Sequence, residues 1–253
     1  MAPEFLLADV GAAQLALIGA VALAGSVLGG LAGYGTGLVV PIFLAPVVGV
    51  ANIVPVMAVG MIFANASRAT AFWRDIHWPH ARRVLFAGLP ACVVGAYGYT
   101  LLEARWIALI LGAFFIASVP LRRALARAGW QLGARGVTIA GAGFGLVNGS
   151  MTGVGMFLIS LLMAAGLQGA AVIGTDAIVS VIMGAAKIAL FGGVARLNVE
   201  LALAGVLVGL CTVPGGFIAR RLLERIPMKV HTAVMDAVVL GGGASFLWRA
   251  WIA

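Results

Sequence analysis

The chain has 253 residues, of which 63% are hydrophobic and 9% are charged, with a mean hydropathy of +1.13 and a formal net charge of +8. Soluble domains carry about a quarter charged residues, so this composition excludes a soluble enzyme or binding module and predicts a protein embedded in lipid. The positive charge does not indicate nucleic acid as a partner, because eleven of the sixteen Lys and Arg residues fall in three short loops between apolar runs.

Apolar runs bounded by charges, Pro or Gly predict five helical segments in each half of the chain. In the first half they lie near residues 12–34, 37–50, 51–73, 84–102 and 106–121. A basic linker at residues 122–135 is followed by runs near residues 136–150, 153–166, 169–192, 199–219 and 231–248. Because a full span needs about 20 apolar residues and several runs are shorter, we predict an all-α polytopic membrane protein of about eight to ten transmembrane or half-spanning helices.

The two halves resemble each other along their length. Glycine recurs at every fourth residue in each half, at Gly25, Gly29, Gly33 and Gly37 and again at Gly141, Gly145, Gly149 and Gly153. The cations Arg68 and Lys187 occupy corresponding positions in the third segment of each half. We therefore predict a first repeat in residues 1–121, including an N-terminal extension, and a second repeat in residues 136–253.

The basic loops indicate how the two repeats are oriented. Arg74, Arg82 and Arg83 follow the third segment of the first half, whereas the fourth segment of the second half is followed by Arg220, Arg221, Arg225 and Lys229. Lys and Arg concentrate on the cytoplasmic side of a membrane, so an inverted second repeat would bring all the basic loops to that side. We predict inverted-topology repeats with both chain termini facing outward.

Few polar side chains lie inside the apolar runs, and these are candidates for binding. Asn65 and Arg68 lie in the third segment, and its counterpart contains Asp176, Ser180 and Lys187. A charge at membrane depth costs about 2.5 kcal/mol or more, so it normally faces a cavity or a partner. Asp176 and Lys187 lie on one helix face about 16 Å apart, as side chains along one polar track would. The alternatives are that Arg68 and Lys187 extend to the lipid headgroups, or that each lines a vestibule of its own.

Each glycine ladder leads into a Gly-rich break between two short apolar runs, at residues 30–37 and 145–155. Such a break exposes backbone N–H groups at a helix start, where the positive end of the helix dipole favours an anion. The candidate substrate-binding residues in the two breaks are Gly35, Thr36, Gly37, Asn148, Ser150, Thr152 and Gly153. The competing interpretation is close helix packing, because small residues at every fourth position let two helices approach.

No arrangement typical of a catalytic or metal site stands out in the sequence. His77 and His80 have the spacing of two metal ligands, but no cluster of Cys, Asp or Glu supplies the remaining ligands. Cys92 and Cys211 both lie within apolar runs and are interpreted as packing residues. We therefore expect no enzymatic activity, no cofactor and no metal ion.

The Gly-rich breaks and the helices that follow them resemble the TauE/SafE family of sulfite and organosulfonate exporters, whose members carry two such motifs in two homologous halves. The matching stretches are residues 30–41, 68–78, 145–155 and 187–198. The chain departs from the common pattern at Thr36, which interrupts a Gly run, and at Met156 and Phe157, where the second motif often has Pro. The resemblance implies a multi-pass permease of the bacterial inner membrane.

Together with the resemblance, these residues predict export of a small sulfur oxyanion, sulfite or a short organosulfonate such as sulfoacetate, by alternating access between the inverted halves. Arg68 and Lys187 would attract the anion, and Asp176 is the candidate carrier of a coupling proton. The expected partners are the small anion and the lipid bilayer, with a homodimer left open. The alternatives are import, another anion such as sulfate or a carboxylate, and a membrane-embedded binding or assembly subunit that moves nothing.

Overall fold

A computed structural model describes residues 10–32, 35–127, 129, 131–222 and 228–252. This part of the chain is mainly helical, with ten α-helices and no strand, which confirms the predicted all-α class. The helices are α1 (Ala12–Ala32), α2 (Thr36–Val48), α3 (Ile53–Ala71), α4 (Trp78–Thr100), α5 (Ala104–Arg127), α6 (Ala134–Ser150), α7 (Gly155–Ala164), α8 (Ala170–Gly193), α9 (Val199–Leu222) and α10 (Met228–Ile252). Gly33 of the first ladder and Arg225 of a predicted basic loop lie outside the described residues.

The helix boundaries follow local signals in the sequence, but α4 begins at Trp78, ahead of the predicted start near residue 84, and α5 ends beyond the predicted residue 121. Gly49, with a φ of 78°, ends α2, because glycine adopts this conformation without strain. His77 caps α4, since its Nδ1 accepts a hydrogen bond from the backbone N–H of His80. The predicted linker at 122–135 is only partly correct, because α5 continues to Arg127. Arg, Leu and Ala are strong helix formers, so the charged turns extend this helix beyond its apolar part.

Several of the described helices have the length and composition of membrane segments. Three are long and apolar enough to cross a bilayer, at Val50–Ala71, Ala104–Leu121 and Ala170–Gly193. Four shorter apolar stretches lie at Ala12–Val27, Thr36–Val48, Gly155–Ala164 and Val199–Gly215. With 13 and 10 residues, α2 and α7 are too short to cross a hydrocarbon core of about 30 Å at about 1.5 Å per residue. These two helices therefore have the half-spanning length that the sequence predicts.

Helices α3 and α8 pack side by side and run antiparallel. Near the start of α8, a Cβ added at Gly174 would lie 2.8 Å from the carbonyl oxygen of Phe72 at the end of α3. Further along α8, a Cβ at Gly184 would lie 3.1 Å from Ile62 and 3.8 Å from the carbonyl oxygen of Ala58. Since α3 and α8 are counterparts in the predicted repeats, their opposite directions are those expected of inverted halves, although the duplication itself stays a prediction.

The remaining helix contacts are reciprocal between the two halves. Helix α1 packs against α9, and its predicted counterpart α6 packs against α4, the counterpart of α9. In the same way α3 packs against α9 while α8 packs against α4, and α5 packs against α10. Each half therefore completes the core of the other, and neither half has its main contacts within itself.

Three glycines of the second ladder, Gly141, Gly145 and Gly149, lie in the contact between α4 and α6. A Cβ added at Gly145 would meet the carbonyl oxygen of Gly88, and a Cβ at Gly149 would meet the carbonyl oxygen of Cys92. The backbones of α4 and α6 are thus in direct contact, as in other membrane helix pairs with small residues at the interface. The packing interpretation is correct for Gly145 and Gly149.

Gly149→Ala is expected to lower the free energy of unfolding by about 1–3 kcal/mol, because the methyl group would force the two backbones apart. Gly143 lies on the same helix with no atom within 4 Å of an added Cβ. Gly143→Ala should be neutral or stabilising by up to about 1 kcal/mol, since Ala has the higher helix propensity. Thermal unfolding of both purified variants in detergent tests this, and equal shifts in Tm would contradict the direct backbone contact.

Candidate functional site

A small cavity of about 50 Å³ lies between α3 and α8, and residues of the two Gly-rich breaks also line it. The predicted site residues that line it are Gly35, Thr36, Gly37, Asn65, Arg68, Asn148, Thr152, Gly153, Asp176, Ser180 and Lys187. Ser150 is not among the lining residues, because α6 continues through it and its hydroxyl donates to the carbonyl oxygen of Val147. Ser150 follows Asn148 by two positions, which directs the two side chains to different faces of the helix.

Helix α3 contributes six residues to the cavity lining, and four of them have the same spacing as the four that α8 contributes. From α3 they are Met57, Met61, Asn65 and Arg68. From α8 they are Asp176, Ser180, Gly184 and Lys187. The 3.6-residue period places each set on one helix face, so the cavity has two matching walls.

An ion pair between the two walls occupies one end of the cavity. Arg68 Nη2 lies 3.4 Å from Asp176 Oδ2, and these side chains are 8% and 0% exposed. Arg68 also donates a hydrogen bond to Oδ1 of Asn65, one turn earlier on α3. Neither oxygen of Asp176 accepts a hydrogen bond from a residue that the structure describes. The carboxylate of Asp176 is therefore held by the charge of Arg68. The side chain of Arg68 faces the cavity and does not extend to the lipid headgroups.

Lys187 lines the cavity on the side away from the ion pair, and it is 8% exposed. Its Nζ donates to the carbonyl oxygen of Asn148 at 2.9 Å. The amide of Asn148 in turn lies 3.4 Å from the sulfur of Met183 and 3.8 Å from that of Cys92. Among the side chains that the structure describes, none of the ion pairs joins Lys187 to a carboxylate. Both cations thus line one cavity, rather than two separate vestibules.

The two Gly-rich breaks contact each other at the cavity. Thr152 Oγ1 donates to the carbonyl oxygen of Gly37 at 3.2 Å. A Cβ added at Gly37 would lie 2.7 Å from the backbone nitrogen of Gly153, whose φ of 79° also favours glycine. On the other side, Thr36 Oγ1 donates to the carbonyl oxygen of Gly25 at 3.1 Å. The threonine hydroxyls hold the breaks in place, while the glycines allow them to approach.

Helices α2 and α7 both begin at the cavity. Their first residues, Thr36 and Gly155, line it. The first N–H groups of a helix have no partner within the helix, and neither helix has a side-chain cap. The positive end of the helix dipole at a helix start favours negative charge, as a cation does. Two helix starts and two cations therefore favour an anion at the same cavity.

Ser26, Met57 and Met61 also line the cavity, although sequence reasoning does not single them out. The hydroxyl of Ser26 donates to the carbonyl oxygen of Thr212 at 2.5 Å, which ties α1 to α9. Met57 and Met61 look like ordinary core residues in an apolar segment. They could be found in the sequence only by comparing the two halves, because Met57 and Met61 correspond to Asp176 and Ser180 of the second half.

The charges of the cavity suit a small anion. Its charged lining residues are two cations and one carboxylate, which leaves one net positive charge when all three are ionised. Within the described ranges, no three His, Cys, Asp or Glu side chains come together as a metal site would require. His77 and His80, with Nδ1 atoms 2.6 Å apart, contact each other at the start of α4 and do not line the cavity.

Comparison with known protein families relates most of the chain to transporters. A family model described as sulfite exporter TauE/SafE matches residues 17–246, a range that includes every residue lining the cavity. No curated protein and no solved structure matches significantly. The match therefore covers all ten helices in whole or in part.

Proposed function

The chain belongs to the sulfite exporter TauE/SafE family, and from this premise we propose that it exports a small sulfur oxyanion, sulfite or a short organosulfonate, through the cavity between α3 and α8. Family membership and the apolar helices make it an integral membrane transporter and not an enzyme. We further propose that it is a multi-pass protein of the bacterial inner membrane.

One observation carries the proposal: two buried cations and two uncapped helix starts meet at one cavity inside an apolar bundle. The oxygens of an oxyanion accept hydrogen bonds from ammonium, guanidinium and backbone N–H groups, and such charge-assisted bonds are strong. The volume of about 50 Å³ favours a solute of a few atoms, because sites for drug-sized ligands measure about 300–1,000 Å³.

Alternating access between two inverted halves is the proposed transport mechanism. It is supported by the antiparallel course of α3 and α8 and by two half-length helices that begin at the cavity. Transporters of this kind bind their solute where broken helices of the two repeats meet, and one half rocks against the other. The contacts between Gly37 and the second break are such a meeting point.

Proton coupling through Asp176 is a further part of the proposal. The carboxylate is buried in the cavity wall, and no described residue donates a hydrogen bond to it. A carboxyl group in this position is suited to exchange a proton with the cavity. In proteoliposomes, a proton gradient should accelerate sulfite flux of the wild type. For Asp176→Asn the ratio of flux with and without the gradient should fall to one, and an unchanged ratio would exclude Asp176 as the carrier.

Purified protein in liposomes tests the function itself. Vesicles loaded with sulfite, methanesulfonate, sulfate or acetate are assayed for efflux against protein-free vesicles. Faster efflux of sulfite or methanesulfonate is expected. Efflux equal to that of protein-free vesicles for every anion would favour a binding or assembly subunit, and preference for acetate would overturn the sulfur substrate. In cells that lack the protein, internal sulfite should rise after a sulfite challenge, whereas an unchanged level would contradict export.

A further inference from the structure

The two cations of the cavity differ in their partners. The sequence offset that relates Arg68 to Lys187 also relates Met57 to Asp176. Arg68 is paired with Asp176 across the interface between α3 and α8. If the two halves were symmetric, a carboxylate at position 57 would pair with Lys187 as Asp176 pairs with Arg68. The chain has the uncharged Met57 there.

The direction of the two helices places Met57 on the Lys187 side of the cavity. Asp176 lies beside Arg68, and Gly184, two turns later, lies beside Ile62 and Ala58. Lys187 is a further turn along α8, and because the helices are antiparallel it lies toward the start of α3. Met57 and Lys187 both line the cavity there.

We propose that Lys187 is the primary anion ligand and that the cavity selects a monovalent oxyanion, such as methanesulfonate or hydrogen sulfite, over a dianion such as sulfate or sulfoacetate. This inference rests on the proposed function and specifies its substrate class. A lysine ammonium has three N–H donors, and one of them bonds to Asn148 O in the described structure. Lys187 therefore has donors to offer an anion, whereas the charge of Arg68 is balanced by Asp176.

The net charge of the cavity sets this preference. With Arg68, Asp176 and Lys187 ionised, one anionic charge neutralises the site. A dianion would leave an excess negative charge among groups that are shielded from water, and an uncompensated charge there is strongly unfavourable. Asp176 thus acts as a specificity-determining residue, because it removes one positive charge from the site.

Met57→Asp tests the inference, with Met57→Asn as its matched control. The aspartate would give Lys187 the carboxylate partner that Arg68 already has. Methanesulfonate flux in proteoliposomes is expected to fall at least tenfold in Met57→Asp, and less than threefold in Met57→Asn. Equal losses in the two variants would overturn the inference. If the wild type moves neither methanesulfonate nor sulfite, the proposed function fails instead.

Asp176→Asn supplies a second test that does not depend on the folding of Met57→Asp. The wild type is expected to move methanesulfonate, a monoanion, at least tenfold faster than sulfate, a dianion. Removing the carboxylate should lower this ratio at least tenfold, because the site then carries two positive charges. A wild type that moves the two anions equally, or a ratio that Asp176→Asn leaves unchanged, would overturn the inference.

Discussion

Lys187→Met is expected to reduce sulfite flux in proteoliposomes by about tenfold to hundredfold. The substitution keeps the apolar stem and most of the length of the side chain but removes the one cavity cation that no described carboxylate balances. Hydrogen bonds to charged groups contribute about 1.5–3 kcal/mol, and about 1.4 kcal/mol corresponds to a factor of ten. Initial rates of efflux at equal amounts of reconstituted protein measure the effect.

Arg196→Met is the control for a loss of positive charge elsewhere. Arg196 is exposed in the loop between α8 and α9 and donates to the carbonyl oxygen of Thr100 at 2.5 Å. Its replacement should change the flux by less than about twofold, since exposed charges interact weakly through water. If Lys187→Met keeps the wild-type flux, or if Arg196→Met loses as much flux as Lys187→Met, Lys187 is not a ligand of the anion.

Arg68→Met is expected to cause a larger loss of stability than Gly149→Ala. It leaves Asp176, which is 0% exposed, without its ion-pair partner. Removing one member of a buried pair typically costs about 3–5 kcal/mol, because the other charge is left uncompensated. The Tm of the purified variant in detergent should therefore fall well below that of the wild type.

The double variant Arg68→Met, Asp176→Asn separates this cause from lost packing. Its cavity no longer holds an unpaired charge, and replacing both members of a buried pair is often close to neutral. We expect the double variant to recover most of the lost Tm. If it is as unstable as Arg68→Met alone, the ion pair is not what Arg68 contributes.

Much of the fold could be predicted from the sequence, because apolar runs and glycine breaks are local signals. The runs near 37–50 and 153–166 correctly predict the short helices α2 and α7. The linker at 122–135 is where local reasoning fails. The charged residues there correctly mark the end of the apolar run. Helix propensity, however, decides where the helix itself ends, and α5 continues to Arg127.

Most residues that line the cavity could be predicted from the sequence, but the contacts between them could not. Arg68, Asp176 and Lys187 stand out because charges are rare at membrane depth. The sequence places Asp176 and Lys187 on one helix face, yet Asp176 pairs with Arg68 from another helix. That pairing depends on the antiparallel packing of α3 against α8, which no local pattern encodes. For the same reason, Met57 can be recognised as a cavity residue only after its counterpart Asp176 is known to face the cavity.

A crystal structure with bound 2-bromoethanesulfonate would test most directly whether the cavity between α3 and α8 binds the anion. The bromine gives an anomalous signal that locates the ligand independently of the protein. We predict a peak in the cavity, with the sulfonate oxygens within hydrogen-bond distance of Lys187 Nζ and beside Gly37. A bromine peak confined to the protein surface or to another cavity, at a ligand concentration that saturates transport, would contradict this site.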